Sequence, residues 1–237
     1  MSAPRRGVSW TPDEIGYAGL EHLDADYVAG YDAKARVDPS DDVAILVEHG
    51  LGPGTTIVDL GAGTGVFTAA AAATGATVIA VDVSPAMVRH LDAQFAGQPD
   101  VTVVPAGFLT YEHVGAPVEF VYSRNALHQL PDFWKGIALQ RITAYLAPGA
   151  IFRVRDLVFD FEPAEADEFI PAWMAGGVDD PARGWTPDEL AEHVRIEFST
   201  YRWLFEPMLE RVGFQILDVD YVRRAYGAYT CRYPRPT

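Results

Sequence analysis

The sequence predicts an α/β fold with a doubly wound, mostly parallel sheet of seven strands, an antiparallel C-terminal strand and helical cap segments. Two observations predict this fold class. Between residues 55 and 159, short runs rich in valine and isoleucine alternate with helical patterns. This alternation is typical of parallel strands covered by helices on both faces. Two later apolar runs, at 213–222 and 225–233, indicate terminal strands that complete the sheet.

The elements can be justified in chain order. Residues 13–36 predict one or two helices with aromatic side chains on one face, and residues 40–49 a short helix that Ser40 can cap. The strands expected next are 55–60, 77–82, 101–105, 118–123 and 150–159. The helices expected between and after them lie at about 64–74, 85–96 and 131–147.

The helix at 131–147 has a core-facing stripe, formed by Trp134, Ala138, Ile142 and Tyr145. We expect it to stop at residues 147–150, where Gly149 can adopt the left-handed conformation of a helix end.

Beyond residue 160 the strand–helix alternation ends. We expect helices at 163–177 and 206–213, and a helix after Thr186, which has the capping-box spacing with Glu189.

The chain of 237 residues shows no internal repeat or linker, which predicts one domain. We divide it into an N-terminal helical lid (1–40), a cofactor-binding core (41–160), a helical substrate cap (161–213) and C-terminal strands (214–237).

Composition excludes several classes of protein. The formal net charge of −15 disfavours a nucleic-acid partner, because phosphate contacts need a basic face. No apolar run reaches the ~20 residues of a membrane span, and the N-terminal segment lacks the apolar region of a secretory signal. A single cysteine, Cys231, excludes an internal disulfide. We therefore expect a cytoplasmic protein that does not bind membranes.

The most informative stretch is VDLGAGTG, residues 58–65. Its glycines follow a G-x-G-x-G spacing, with Val66 where a dinucleotide fingerprint has its third glycine. Asp59 precedes the first glycine by two positions, and a carboxylate there would repel a diphosphate. It suits a cationic ligand instead. This favours S-adenosylmethionine (SAM), whose amino group and sulfonium are both positively charged.

Three motifs in order, VDLGAGTG, VDVSPAMV (81–88) and VYSRNALHQLPD (121–132), resemble class I SAM-dependent methyltransferases of the small-molecule type. The resemblance covers about residues 40–160 and implies the Rossmann-like methyltransferase fold with SAM as cofactor. Residues 1–40 and 160–213 lie where this superfamily places its variable cap segments.

The resemblance also implies a cofactor site. The residues that would surround the methionine end of SAM are Asp59, Gly61, Ala62, Gly63 and Gly65. Those that would bind the ribose and the two faces of the adenine are Asp82, Val83, Met87, Gly107 and Phe108. Ser123, Arg124 and Asn125 would end the fourth strand beside the sulfonium. Relatives often have an aspartate that contacts the adenine amine, whereas residues 106–108 here offer only backbone and a ring.

Asp82 and Asp59 have structural alternatives. Asp82 could simply cap the following helix, although the glycine turn upstream favours ribose binding. Asp59 could be a buried structural acid.

Two residues are candidates for catalysis. His128 can accept a proton from a hydroxyl or amine nucleophile, but a loop histidine that shapes the pocket is the alternative. Strand alternation places Asp156 on the face opposite Arg153 and Arg155. Asp156, near the carboxyl end of its strand, is a pocket candidate with Arg155, and a structural ion pair is the alternative.

The N-terminal aromatics are candidates for a lid. Tyr31, with Tyr27, precedes the first core strand at the distance seen in lids that close over SAM, and Tyr31 can donate to the methionine carboxylate. An aromatic core stripe is the alternative. The remaining histidines show no ligand-like spacing, so no metal is expected: His22, His49, His90, His113 and His193.

Together these features predict SAM-dependent methyl transfer to an oxygen or nitrogen of a small molecule, of the kind found in secondary metabolism. Two alternatives stay open. One is a methyltransferase fold that catalyses a non-methyl reaction, such as an elimination or cyclisation, and the other is a non-catalytic partner subunit. An oligomer or a protein partner is compatible with either.

Overall fold

One mixed sheet organises the chain, which the computed structural model describes at residues 10–19 and 21–234. Its strands are β1 (Thr56–Leu60), β2 (Thr77–Asp82), β3 (Val101–Pro105), β4 (Val118–Arg124), β5 (Leu146–Phe159), β6 (Thr200–Tyr201), β7 (Gln215–Val222) and β8 (Tyr226–Arg232). Their order across the sheet is β3-β2-β1-β4-β5-β8-β7, with the two-residue β6 added beside β5. Strands β1 to β5 pair in parallel, and β8 is antiparallel to both β5 and β7. The predicted fold class is confirmed.

Helices surround this sheet and extend from it. They are α1 (Ala25–Ala35), α2 (Ser40–Glu48), α3 (Val66–Ala72), α4 (Pro85–Gln94), α5 (Asp132–Thr143), α6 (Ala166–Met174), α7 (Pro187–Ile196) and α8 (Arg202–Arg211). Short 3₁₀ helices occur at Glu14–Tyr17, Glu21–Leu23, Leu127–Gln129 and Pro163–Glu165. Among the described residues, no helix is long and apolar enough to cross a membrane.

The core forms on both faces of the sheet, as the near-continuous apolar strands require. On one face Phe152 packs with Leu139 of α5 and with Phe205 of α8. On the other face the Phe67 ring of α3 stacks on Tyr122 of β4, with the ring centroids 3.5 Å apart. The sheet is therefore the middle layer of a helix–sheet–helix arrangement.

The boundary between α5 and β5 differs from the sequence prediction. Helix α5 ends at Thr143, four residues before the expected end, and β5 already begins at Leu146, which pairs with Val118. Gly149 has the expected positive φ of 92°, but its N–H donates to Tyr233 O across the sheet. Strand pairing has thus overridden the helical pattern at 144–147.

The arrangement of the parallel strands determines where the site lies. The carboxyl ends of β1, β2 and β4 meet at one edge, and the loops that follow them carry the glycine turn, Asp82 and residues 125–130. The N-terminal segment with α1 covers this edge from one side, and α6 and α7 lie beyond it. Ligands of open α/β sheets bind at such an edge.

Candidate active site

A cavity of about 1060 Å³ lies at the carboxyl edge of the parallel strands. Most of the cofactor residues expected from the sequence line it: Tyr31, Asp59, Gly61, Ala62, Gly63, Asp82, Val83, Met87, Gly107, Phe108 and Arg124. Asn125 and Glu14 also line it. Residues from five separate chain segments therefore converge on one space.

The glycine turn forms the floor of this cavity. The N–H groups of Gly61 and Ala62 donate to Val81 O at 2.9 and 3.0 Å, which fixes the turn against β2. Gly61 packs tightly, since a Cβ there would lie 2.4 Å from the Ala126 Cβ. Gly63, with a φ of 57°, is open, because an added Cβ would meet no atom within 4 Å. The backbone at Gly63 is thus free for close approach by a ligand.

Asp82 stands at the end of β2 beside this turn. Its carboxylate accepts hydrogen bonds from the Gly63 N–H and the Ser84 N–H, both at 2.8 Å. The cap of α4 is Ser84, whose Oγ accepts from the N–H groups of Ala86 and Met87. Helix capping therefore does not account for Asp82, which remains at the cavity wall.

Two further carboxylates line the cavity with Asp82, and burial raises the pKa of all three. The pKa of Asp59 rises to about 7 through burial, although a hydrogen bond from Thr68 Oγ1 at 2.6 Å opposes the shift. The third is Glu14. Among the described residues, none of the three forms a salt bridge with lysine or arginine. A cationic ligand beside these carboxylates would favour their ionised forms.

Glu14 comes from the N-terminal segment and was not expected in the site. Its two carboxylate oxygens accept from the Leu109 N–H at 3.0 Å, and one accepts from Thr110 Oγ1 at 3.1 Å. Asp13 caps the 3₁₀ turn that positions it. A single acidic residue in an N-terminal helix has no local signal that links it to residue 107, so only the tertiary structure reveals this contact.

Two expected cofactor residues lie outside the cavity lining. A Cβ on Gly65 would come within 2.7 Å of Phe95 and 2.8 Å of Leu91, so this glycine allows the turn to pack against α4. The Ser123 side chain is fully buried in β4, and its Oγ has no hydrogen-bond partner. Its neighbours Arg124 and Asn125 reach the cavity instead.

The arginines of β5 belong to a buried ion network behind the cavity. Asp42 of α2 is completely buried and accepts from Arg153 Nε at 2.9 Å and from the Tyr122 hydroxyl at 2.9 Å. Arg155 and Arg124 lie 3.4 and 3.6 Å from the same carboxylate. Arg155, which the sequence made a candidate for the pocket, therefore forms a structural ion pair with Asp42 instead.

A second cavity, of about 960 Å³, adjoins the first. The two share the residues His22, Tyr31, Asn125 and Gln129. Asn125 has a φ of 49°, a conformation that asparagine tolerates better than most residues, and its N–H donates to Arg155 O at 2.8 Å. Molecules bound in the two cavities would therefore lie next to each other, on either side of these shared residues.

His128 lines the second cavity, and Asp156 lies behind it. Asp156 Oδ1 is 2.5 Å from His128 Nδ1, and Oδ2 accepts from the backbone N–H of Leu127 at 2.8 Å. Asp156 lines neither cavity. Burial lowers the pKa of His128, but the charges and hydrogen bonds of Asp156 and Glu197 outweigh burial and raise the pKa to about 9. Asp156 thus orients and charges His128.

His193 and Glu197 were missed by the sequence reasoning. Glu197 Oε2 lies 3.1 Å from His128 Nε2 and in contact with His193 Nδ1. Burial raises the pKa of Glu197, but the two histidines outweigh burial and hold it well below its usual range. The sequence signal that could have revealed this pair is the spacing of four residues between His193 and Glu197. This spacing puts both side chains on one face at the end of α7.

Comparison with known proteins agrees with this geometry. Residues 57–149 match the family described as "Methyltransferase domain". Over 93 residues the chain is 31% identical to the uncharacterized methyltransferase YrrT of Bacillus subtilis, a match that covers 39% of this chain and 43% of that protein. The chain thus spans less than half the length of this relative.

Solved structures share the fold. The [4+2]-cyclase SpnF superposes with a TM-score of 0.61 at 14% identity, covering 82% of this chain and 80% of that one. Magnesium protoporphyrin IX methyltransferase from Synechocystis PCC 6803, with bound S-adenosylhomocysteine (SAH), gives 0.59 at 15% identity, covering 95% and 90%. The chain is thus similar to a methyltransferase domain over residues 57–149, and it shares the fold of the SAM-dependent methyltransferases.

Proposed function

We propose that the protein transfers a methyl group from SAM to an oxygen or nitrogen of a small molecule held in the second cavity. The observation that carries the proposal is the wall shared by the two cavities, formed by His22, Tyr31, Asn125 and Gln129. Donor and acceptor bound in the two cavities would therefore be neighbours. Positioning of this kind supplies much of the acceleration of a group transfer.

The charged side chains of the first cavity support its assignment to the cofactor. We assign Asp59 to the cationic methionine end of SAM, and Asp82 to the ribose hydroxyls. Tyr31 has its pKa raised to about 12, chiefly by burial, so its hydroxyl keeps the proton that it can donate to the methionine carboxylate. Arg124 lines the same cavity and can pair with that carboxylate. When bound, SAM supplies an electrophilic methyl group on its sulfonium.

Glu14 is our candidate for the adenine amine. The family pattern places an acid after the third strand, whereas this chain has Gly107 there. The Glu14 carboxylate occupies the space beside Gly107, within the cavity and next to Phe108. A carboxylate from the lid would thus replace the one absent from the core.

The second cavity indicates the class of acceptor. Its lining is rich in aromatic side chains: Tyr27, Trp173, Trp185 and Tyr226. Such walls favour a flat, partly apolar molecule. Glu192 also lines it, which disfavours an anionic acceptor, whereas the charge of Glu189 is paired with Lys34. In this proposal residues 10–40 act as the lid over SAM and residues 161–213 as the acceptor cap; residues 1–9 of the expected lid lie outside the described residues.

His128 lines the acceptor cavity, and we assign it a role in orienting the acceptor. Without a metal ion its pKa of about 9 keeps both ring protons at pH 7, and Nε2 lies 3.1 Å from Glu197 Oε2. To act as a general base, His128 would need a neutral ring, and the neutral ring is the minor form below pH 9. Asp156 acts through His128 as a positioning residue.

The alternative of a non-methyl reaction keeps one specific support, because SpnF is described as a [4+2]-cyclase and has this fold. Turnover that continues without SAM would favour that alternative.

The primary experiment is calorimetric titration of the protein with SAM, followed by mass spectrometry of reactions with flat hydroxyl- and amine-bearing acceptors. We expect one SAM per chain, SAH as a product, and an acceptor heavier by one methyl group. Absence of binding at millimolar SAM would overturn the proposal. If the protein binds SAM but its turnover does not consume SAM, the non-methyl reaction would be the correct assignment.

A further inference from the structure

We propose that His128, His193 and Glu197 form a binding site for a divalent transition-metal ion such as Zn²⁺ on the wall of the second cavity. The three residues come from the turn after β4 and from the end of α7. Each offers one ligand atom, and these atoms all lie within 4.8 Å of one another. The planes of the two imidazoles are inclined by 57°, with centroids 5.0 Å apart.

The distance between the ligand atoms of His128 and Glu197 matches a metal site. Glu197 Oε2 is 3.1 Å from His128 Nε2 and also contacts His193 Nδ1. Two ligands of a tetrahedral zinc ion, each about 2.0–2.1 Å from the metal, stand about 3.3 Å apart. Glu197 Oε2 is buried, and its contacts with the two histidines lack normal hydrogen-bond geometry. A cation among the three atoms would satisfy it.

The outer contacts support the same assignment. His128 Nδ1 lies 2.5 Å from Asp156 Oδ1, which leaves Nε2 facing the cluster. His193 Nε2 lies 3.3 Å from Ser199 Oγ, which leaves Nδ1 facing it. Metal-binding histidines characteristically engage an oxygen through the nitrogen that does not bind the metal. The two imidazoles therefore present their other nitrogens towards Glu197.

Two histidines and a carboxylate are the protein ligands of several metal sites that keep a position open. Here the open side would face the second cavity, which all three residues line. If the proposed function holds, an oxygen atom of the acceptor can occupy that position. Binding of the metal itself does not depend on methyl transfer.

The test is a titration of EDTA-treated, dialysed full-length protein with Zn²⁺ by calorimetry at pH 8, without SAM, and with Co²⁺ by absorption. We expect one high-affinity equivalent in the wild-type protein and cobalt bands typical of a low coordination number. His193→Asn and Glu197→Gln should each weaken binding at least tenfold. His49→Asn, which removes an exposed surface histidine, should leave it unchanged.

Asp156→Asn tests the outer contact, and we expect a loss of Zn²⁺ affinity of about 10–100-fold. Thermal unfolding of each variant confirms that it is folded. Equal Zn²⁺ affinity in the wild-type protein and in the His193→Asn/Glu197→Gln double variant would overturn the proposal. So would the absence of a stoichiometric site. A failure of SAM binding would leave this readout unaffected, which separates the two proposals.

Discussion

The carboxylate of Glu14 occupies the space that a side chain at residue 107 would fill. A Cβ built on Gly107 would lie 2.4 Å from Glu14 Cδ and 2.5 Å from both carboxylate oxygens. The two residues are 93 positions apart. At the cavity wall, the absence of a side chain at Gly107 thus makes room for the buried carboxylate of Glu14.

Replacement of Glu14 should weaken SAM binding. We expect Glu14→Ala to raise the Kd about tenfold or more, because a hydrogen bond to a charged group contributes about 1.5–3 kcal/mol. Calorimetry measures the effect. Glu14→Ala combined with Gly107→Asp should restore most of the affinity, since it moves the acid onto the core. If the single variant binds SAM like the wild-type protein, Glu14 has no part in the site.

The affinity for SAM should decrease in acid. Asp59 has its pKa raised from 3.8 to about 7, mainly by burial, and only its ionised form attracts the ammonium group. As the pH falls below 7, the Kd should rise by up to about tenfold per pH unit. Calorimetry between pH 5 and 8 measures this slope. Asp59→Asn should bind weakly and lose the slope, whereas a slope that persists would assign it to another group.

The same shift affects the stability of the SAM-free protein. A raised carboxyl pKa means that the folded state binds more protons than the unfolded state between pH 3.8 and 7. The cost of ionising Asp59 is therefore complete above pH 7 and is relieved as the pH falls. Asp59→Asn should stabilise the protein more at pH 8 than at pH 5 in urea unfolding. An equal effect at both pH values would contradict the shift.

Two glycines of the turn should respond differently to alanine. Both have positive φ, 57° at Gly63 and 82° at Gly65, so each substitution costs about 1–2 kcal/mol in strain. Gly65→Ala should cost about 1–3 kcal/mol more, because it overpacks Phe95 and Leu91. Gly63→Ala should instead impair SAM binding, since its methyl group enters the cavity. Urea unfolding and calorimetry separate the effects, and equal stability of both variants would refute the packing role.

Asp42 should be essential for stability. Its carboxylate is completely buried and pairs with Arg153, so Asp42→Asn leaves a buried arginine without its charged partner. We expect a loss of about 3–5 kcal/mol in the free energy of unfolding. Glu165→Gln breaks the exposed pair with Arg224 and should change little. Similar small effects in both variants would show that the buried network contributes no more than a surface pair.

Local patterns in the sequence were sufficient for the core of the fold and for the cofactor turn. The alternation of strands and helices, the glycines at 61 and 63 and the acid at 82 act within a few residues of chain, through φ angles and hydrogen bonds to near neighbours. The boundary after Thr143 was placed wrongly, because strand pairing with a distant segment competes there with the helical pattern.

The sequence by itself determined that this chain adopts the class I methyltransferase fold, with a glycine turn and an acid at the ends of β1 and β2. Only the tertiary structure decided which side chains complete the site. Glu14 meets Gly107, His128 meets Glu197, and Asp42 meets Arg153 across separations of 93, 69 and 111 residues. Such contacts have no period or spacing along the chain, because the packing of the lid, the cap and α2 against the sheet creates them.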